Sequence, residues 1–477
     1  MKRIFIYALM AAVVCVVVPL ITLYVLGYHL DADNRNIRQY AFLQFGSVPS
    51  GATVSVDGAV TSSNTPSKTS VPAGKHNVIM WRNGYEKWQK SVNLKPGTLT
   101  WLNYILLIPK DLELQSTSKY PAISYSLASP KGGYMLIQPK ASEAKFDLVD
   151  LGSDKAKTTS LELPASFYAS SPGGVFKPEK WSDNERYVLL TYKYADRQEW
   201  IVMDTQDLSQ SKNITKVFDL TLKNVNFAGS GGSSLYALDD DDIRKLDLSA
   251  DTISRPLVSN VADYSVYNKL KIITYTGADK IDKNKRVAGI YRDGDKSPAV
   301  IKTISGSVGT PIHIATANYF NENYVALSYG KKVEVFSGSY PNTTSDSSNN
   351  MKVVETFNAK SNVDRLSFSP TGKYVFIQSN AYFASYDLEY RNLAESTVAI
   401  GNKGALPIKW LDDNHIWSDG NGKLVIREFD GSNSHDINAV IEGQDATLTS
   451  NGRFLYSVGK QESNKGYQLQ RVRMILP

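Results

Sequence analysis

The sequence predicts an all-β protein behind one apolar helix: an N-terminal transmembrane helix, a small antiparallel β-sandwich, then a β-propeller of eight blades, with seven as the alternative. Three observations predict it. Residues 4–28 carry no charge. Residues 45–110 alternate short strands with Pro- and Gly-containing turns. From residue 118 onward, one pattern of a polar turn followed by two strands keeps returning. Composition agrees. The 477 residues are 42% hydrophobic and 21% charged, with 28 Tyr against 5 His and 1 Cys. Tyrosine favours strands, and few segments have the period of a long amphipathic helix.

The first element is the apolar run. At about 1.5 Å per residue, residues 4–28 make a helix of roughly 37 Å, longer than the ~30 Å hydrocarbon core of a bilayer. Tyr7, Tyr24 and Tyr28 are placed for its two interfaces. A cleaved signal peptide is the competing reading, but its apolar core is normally about 7–15 residues and ends at small residues. Here the run continues through Leu23, Tyr24, Val25 and Leu26. Cys15, the only cysteine, follows Val13-Val14, a poor lipoprotein site, and reads as a small apolar residue facing lipid. Lys2 and Arg3 precede the run, whereas Arg35 and Arg38 are mixed with Asp31 and Asp33. That bias places the N-terminus in the cytoplasm and the bulk outside a cell membrane. Residues 1–30 are the expected anchor and 31–44 a linker.

The second element begins at Pro49-Ser50-Gly51, a turn. Thr53-Val54-Ser55-Val56 alternates as a half-buried strand, and Asp57-Gly58 turns it. Further turns stand at Thr65-Pro66, Pro72-Ala73-Gly74 and Asn83-Gly84. The order Ser47-Val48-Pro49-Ser50-Gly51-Ala52, Val54, Val56-Asp57-Gly58, Thr65-Pro66, Pro72-x-Gly74-x-His76-x-Val78 and Gly84-Tyr85 resembles the PEGA domain family. Ser50 stands where the name-giving tetrapeptide has Glu, at an exposed turn position. The resemblance implies a surface module beside a membrane anchor, a spacer or contact domain. Gly51, Gly58, Gly74 and Gly84 read as turn glycines. Of Trp81, Trp88, Trp101 and Tyr85, some fill the small core and others pack on the next domain or the membrane interface; the alternative is an aromatic strip for glycan.

The third element is the repeat. Its leading strands follow the turns in SPKGGYMLIQ, WSDNERYVLLTY, GSGGSSLYAL, VYNKLKIITY, YFNENYVALSY, FSPTGKYVFIQS, WLDDNHIWSDG and LTSNGRFLYSVG. The second strand often ends at an acid, as in FDLVDL and WIVMDT. A unit of one or two hairpins cannot bury its own apolar face; stacking units in a ring buries it and leaves only short edges. A period of about 40–50 residues fits four strands per unit. Units three and four are degenerate, which leaves seven blades open. Phe368-Ser369-Pro370-Thr371-Gly372-Lys373-Tyr374-Val375 and Trp181-Ser182-Asp183-Asn184-Glu185-Arg186-Tyr187-Val188 resemble the repeat of TolB-like propellers and, more distantly, of WD-repeat proteins. That resemblance implies the fold. Residues 118–477 are the expected propeller, closed by pairing of segments 120–125 and 468–476.

No motif in the chain points to catalysis. There is no G-x-S-x-G, no H-E-x-x-H and no phosphate loop after Gly229-Ser230-Gly231-Gly232. His29, His76, His313, His415 and His435 are scattered. Asp239-Asp240-Asp241-Asp242 lacks the spacing of a calcium loop and reads as a hairpin turn. The net charge of +6 is spread without a basic block, so no nucleic-acid partner is expected. Asn213-Ile214-Thr215 and Asn342-Thr343-Thr344 match glycosylation sequons, and 340–350 is a polar, low-complexity loop. The expectation is a non-catalytic binding protein without cofactor, metal or catalytic residues. It would be held in the membrane by its helix, with an envelope protein, peptide or cell-wall glycan as partner. A propeller enzyme acting on envelope glycan or peptide, and a purely structural spacer, are the alternatives.

Overall fold

The apolar N-terminal run is helical over Lys2–Val25, with Pro19 inside it. The computed structural model describes all residues except 1, 26–27, 32–35, 169–170, 280–281, 283, 306–309, 342–349 and 463–464. The side chains of 2–5, 8–9, 24–25 and 29–38 lie outside the described part. The helix exposes Met10, Val14, Val18 and Ile21. Among the described residues, no helix is long and apolar enough to cross a membrane. The described side chains of this helix run unbroken only over 10–23.

The chain divides into two units, residues 1–113 with 473–477, and residues 114–472. The first holds β1 (Tyr28–Asp31), β2 (Asn36–Val48), β3 (Thr53–Val56), β4 (Ala59–Val60), β5 (Ser67–Pro72), β6 (Gly74–Trp81), β7 (Trp88–Leu94) and β8 (Leu99–Leu106). One sheet is β1-β2-β5 with β8 also on β2; the other is β4-β3-β6-β7. Leu43, Phe45, Val54, Val78, Met80, Trp88 and Ile105 form the core. Asp57 and Gly58 both have positive φ, 51° and 87°, the conformation of a two-residue hairpin turn. Asp57 also accepts from the Asn77 amide at 2.8 Å and lies 2.6 Å from His76 Nδ1, which fixes β3 against β6. The Asn77 amide, then His76, holds the Asp57 carboxyl below its ordinary range.

Two boundaries and one strand pairing differ from the sequence reading. Residues 36–44, expected in a linker, are strand: Ala41 and Leu43 alternate into the core beside Phe45. The sandwich is not wholly antiparallel, because β2 pairs with β8 in parallel. A parallel pair needs a long crossover, and the five strands between β2 and β8 provide it. Last, the tail 473–477 belongs to the first unit: the Leu476 amide donates to the Tyr85 hydroxyl at 2.7 Å and its side chain packs on the core.

The second unit contains eight four-stranded sheets in chain order. Their first strands are Tyr125–Ala128, Val175–Trp181, Leu222–Phe227, Val261–Tyr267, Ile312–Tyr319, Arg365–Phe368, Lys409–Trp410 and Thr447–Leu448. The eighth sheet takes its outer strand, Leu114–Tyr120, from the start of the unit, paired with Tyr467–Arg473. Closure therefore uses 114–120; the expected segment 120–125 instead leads into blade 1. The ring also closes at its centre. The Asp445 amide donates to Ser126 Oγ at 2.8 Å, and the Ala128 amide to Asp445 Oδ2 at 3.0 Å. This is the topology of an eight-bladed β-propeller.

The recurring sequence turn has one local structure. The hydroxyls of Ser129, Ser182, Ser369 and Thr449 accept from the amides of Tyr134, Tyr187, Tyr374 and Phe454, five residues on, at 2.8–3.2 Å. The fourth turn residue has positive φ each time: Gly132 67°, Glu185 57°, Gly372 87° and Gly452 69°. Glycine favours this region. Glu185 occupies it without that advantage, and its carboxylate accepts from the Lys131 amide of blade 1 at 2.7 Å. The acid at the end of the third strand is equally local. Asp204, Asp247 and Asp387 each accept from two backbone amides in the next turn.

Candidate functional site: the propeller channel

The first strands of blades 1 to 4 contribute to a cavity of about 340 Å³ with Glu179, Lys180, Asp183, Asn226 and Asn268 in its lining. A bulge between Pro178 and Lys180 sets the register here. Lys180 Nζ donates to the Asn226 carbonyl oxygen. The lysine is exposed to water along its length, while the groups packed near its ammonium partly desolvate it. That loss of bulk solvation pushes its pKa below the usual lysine value, and Asp183 pulls the other way. Asn268 bridges two turns: its amide donates to Asp183 at 3.2 Å and its carbonyl oxygen accepts from the Gly229 amide at 2.9 Å. The lining thus presents a cation, two carboxylates and two amides, from three blades, to one water-accessible space.

A second cavity, about 320 Å³, lies against blades 4 to 6 and includes Asp263, Ser265, Thr274, His313 and Ser367. His313 Nε2 is 3.0 Å from the Val363 carbonyl, so Nε2 carries the proton and donates. Burial pushes its pKa below the usual histidine value, while the Val363 carbonyl opposes.

Two acids at the ring centre are engaged. Glu179 pairs with Lys177 at 2.7 Å and accepts from Thr191 at 3.1 Å. Asp445 pairs with Lys409 and accepts from the Ala128 amide. The aspartate run forms a hairpin, as its flanks suggest: Asp239 pairs with Asp242 across the turn, Asp240 has φ 51°, and Arg244 lies 3.3 Å from Asp239 and 3.6 Å from Asp242. Among the described residues, no group of three or more His, Cys, Asp or Glu is placed to hold a metal ion.

The other flagged residues scatter. His76 lies 2.7 Å from the Pro72 carbonyl, and His415 lies 2.9 Å from Asp412. The His29 side chain, Asn342-Thr343-Thr344 and most of loop 340–350 fall outside the described residues. Asn213 of the other sequon is buried, and its amide donates to Phe167 O and Glu199 at 2.7 Å each. Tyr85 and Trp88 are core residues, whereas Trp101 is exposed. No sequence signal marked Lys180, Asn226 or Asn268: each comes from a different blade, and the packing of consecutive blades 2, 3 and 4 brings them together.

Residues 42–108 match the PEGA domain family. No curated protein sequence matches the chain. Among solved structures, Hsv2 of Kluyveromyces lactis is 11% identical, with TM-score 0.40, covering 74% of this chain and 99% of its own. Oligogalacturonate lyase in complex with manganese is 10% identical, with TM-score 0.43, covering 77% and 98%. Dipeptidyl peptidase 4 of Porphyromonas gingivalis is 12% identical, with TM-score 0.46, covering 74% and 60%.

Proposed function

We propose that this protein is a non-catalytic binding protein of the cell envelope. Its charge-free N-terminal run anchors it, and a PEGA domain and an eight-bladed propeller stand on the extracytoplasmic side. The propeller channel docks a polar partner: a protein segment, a peptide or a cell-wall glycan. The cavity lined by Lys180, Asp183, Asn226 and Asn268 carries this reading. A water-accessible space with convergent donors and acceptors suits a ligand rich in hydroxyls or amides. The engagement of Glu179 and Asp445 with lysines favours binding over acid–base chemistry.

The test is binding of fluorescent muropeptide fragments and a random peptide pool to the full chain in nanodiscs. Lys180→Glu should weaken binding at least tenfold while leaving the melting temperature near that of the wild type. Binding that is absent, or indifferent to Lys180→Glu and Asn226→Ala, overturns the docking site. Cleavage of a probe overturns the non-catalytic reading.

A further inference from the structure

The outer face of the β1-β2-β5-β8 sheet carries large apolar side chains at positions that face away from the core. On β2, Ala41, Leu43 and Phe45 point into the core. The opposite face should then be polar in a sheet with one wet side. Instead Phe42 is 42% exposed, and on β8 Leu99 is 40% and Trp101 38% exposed. The register makes them neighbours. Phe42 pairs with Leu99 and Gln44 with Trp101, while on the other side Ser70 faces Phe42 and Lys68 faces Gln44. An apolar cluster with a lysine beside it, and no carboxylate in these rows, therefore lies on one flat face.

Chain geometry says what covers it. The N-terminal helix ends at Val25, and Tyr28, three residues on, pairs with Gln39. Because β1 and β2 are antiparallel, β2 runs back past this pairing toward the helix end. Phe42 follows Gln39 by three residues, about 10 Å along the strand. The interfacial layers of a bilayer add roughly 10–15 Å in total to its hydrocarbon core, and Trp and other amphipathic anchors collect there. A basic residue at that depth is attracted by anionic headgroups.

We propose that the Phe42–Leu99–Trp101 face is an interfacial membrane contact, which lays the PEGA sandwich against the headgroups of the bilayer that holds the helix. The proposal rests on the anchor reading above, and the experiment separates the two. The full chain, in a Cys15→Ser background, carries a single fluorophore at Ser70→Cys, on this face, or at Ser91→Cys, exposed on the other sheet. It is reconstituted into phosphatidylcholine–phosphatidylglycerol vesicles with headgroup-level nitroxide lipid. A separate sample labelled at the native Cys15, with nitroxide deep in the acyl chain, reports the anchor alone.

The label at position 70 should be quenched at least twice as strongly as the label at 91. Phe42→Ser with Leu99→Ser should abolish the difference. If Cys15 is quenched but positions 70 and 91 are equal, the face proposal is overturned and the anchor stands. Quenching at 70 without quenching at Cys15 leaves the face in contact with lipid and removes the anchor. If neither is quenched, both fall. Crosslinking between labels at position 70 of two copies, without lipid quenching, replaces the membrane with a second copy of the chain and overturns the proposal.

Discussion

Asp204 gives the sharpest test of the blade architecture. It is buried, and Oδ1 accepts from the amides of Gln206 at 3.0 Å and Asp207 at 3.2 Å, while Arg186 approaches both oxygens at 2.6–3.1 Å. Asp204→Ala removes the acceptor from two part-buried backbone amides. At about 1 kcal/mol each, the loss is about 2 kcal/mol before any effect of the ion pair. Asp204→Asn keeps an oxygen where both amides point, so it should recover most of that loss. Burial resists ionisation of Asp204, but Arg186 and the two amides outweigh it, and the pKa falls below the ordinary 3.8. A depressed folded-state pKa stabilises above the unfolded value and is lost as pH falls through the folded one. The wild-type advantage over Asp204→Asn should therefore hold at pH 5–7 and fade below pH 4. Urea unfolding followed by tryptophan fluorescence reads it, since Trp181 and Trp200 are both buried in blade 2. Equal losses for Ala and Asn at pH 7, or a wild-type advantage unchanged at pH 2, would refute the reasoning.

Two further outcomes use the same measurement. Ser369→Ala leaves the buried Tyr374 amide without its hydroxyl acceptor, held at 3.2 Å, and should cost about 1–2 kcal/mol; Ser369→Thr should restore most of it, and an alanine as stable as wild type would remove the hydroxyl from the turn's logic. Leu476→Ala should loosen the sandwich by about 1–2 kcal/mol, since a partly buried leucine packed on the core is lost. Amide exchange in β6 and β7 should then accelerate, and unchanged exchange there would detach the tail from the core.

The strands legible in the sequence were the second and third of each blade. Tyr374–Ser379 and Tyr382–Asp387 are buried along their whole length, because each is covered by neighbouring blades on both faces. Such strands are rich in apolar and aromatic residues, interrupted only by buried polar ones such as Gln378 and Ser385, and they read at once. The fourth strand has the opposite character: Lys157–Glu162 buries only Leu161, so its sequence looks like a polar loop. First strands line a wet channel and are also partly polar, as in Val261–Tyr267. The closing strand Leu114–Tyr120 could not be assigned to the eighth sheet by local pattern, since its partner lies at Tyr467–Arg473.

The same reasoning explains why the candidate site was silent while the turns were loud. The Ser, Asp and Asn residues that mark each repeat serve the backbone beside them, as Ser182 does for Tyr187 and Asp387 for Glu389 and Tyr390. Some also stitch one blade to the next, as Glu185 does with Lys131 and Asp413 with the Thr371 amide at 2.7 Å. A repeat motif is visible because several blades use it for the same backbone turn, and for that reason it cannot specify a ligand. Specificity has to come from positions that differ between blades. Lys180, Asn226 and Asn268 are such positions: no shared turn requires a lysine or an amide there, and they meet because three consecutive blades pack side by side.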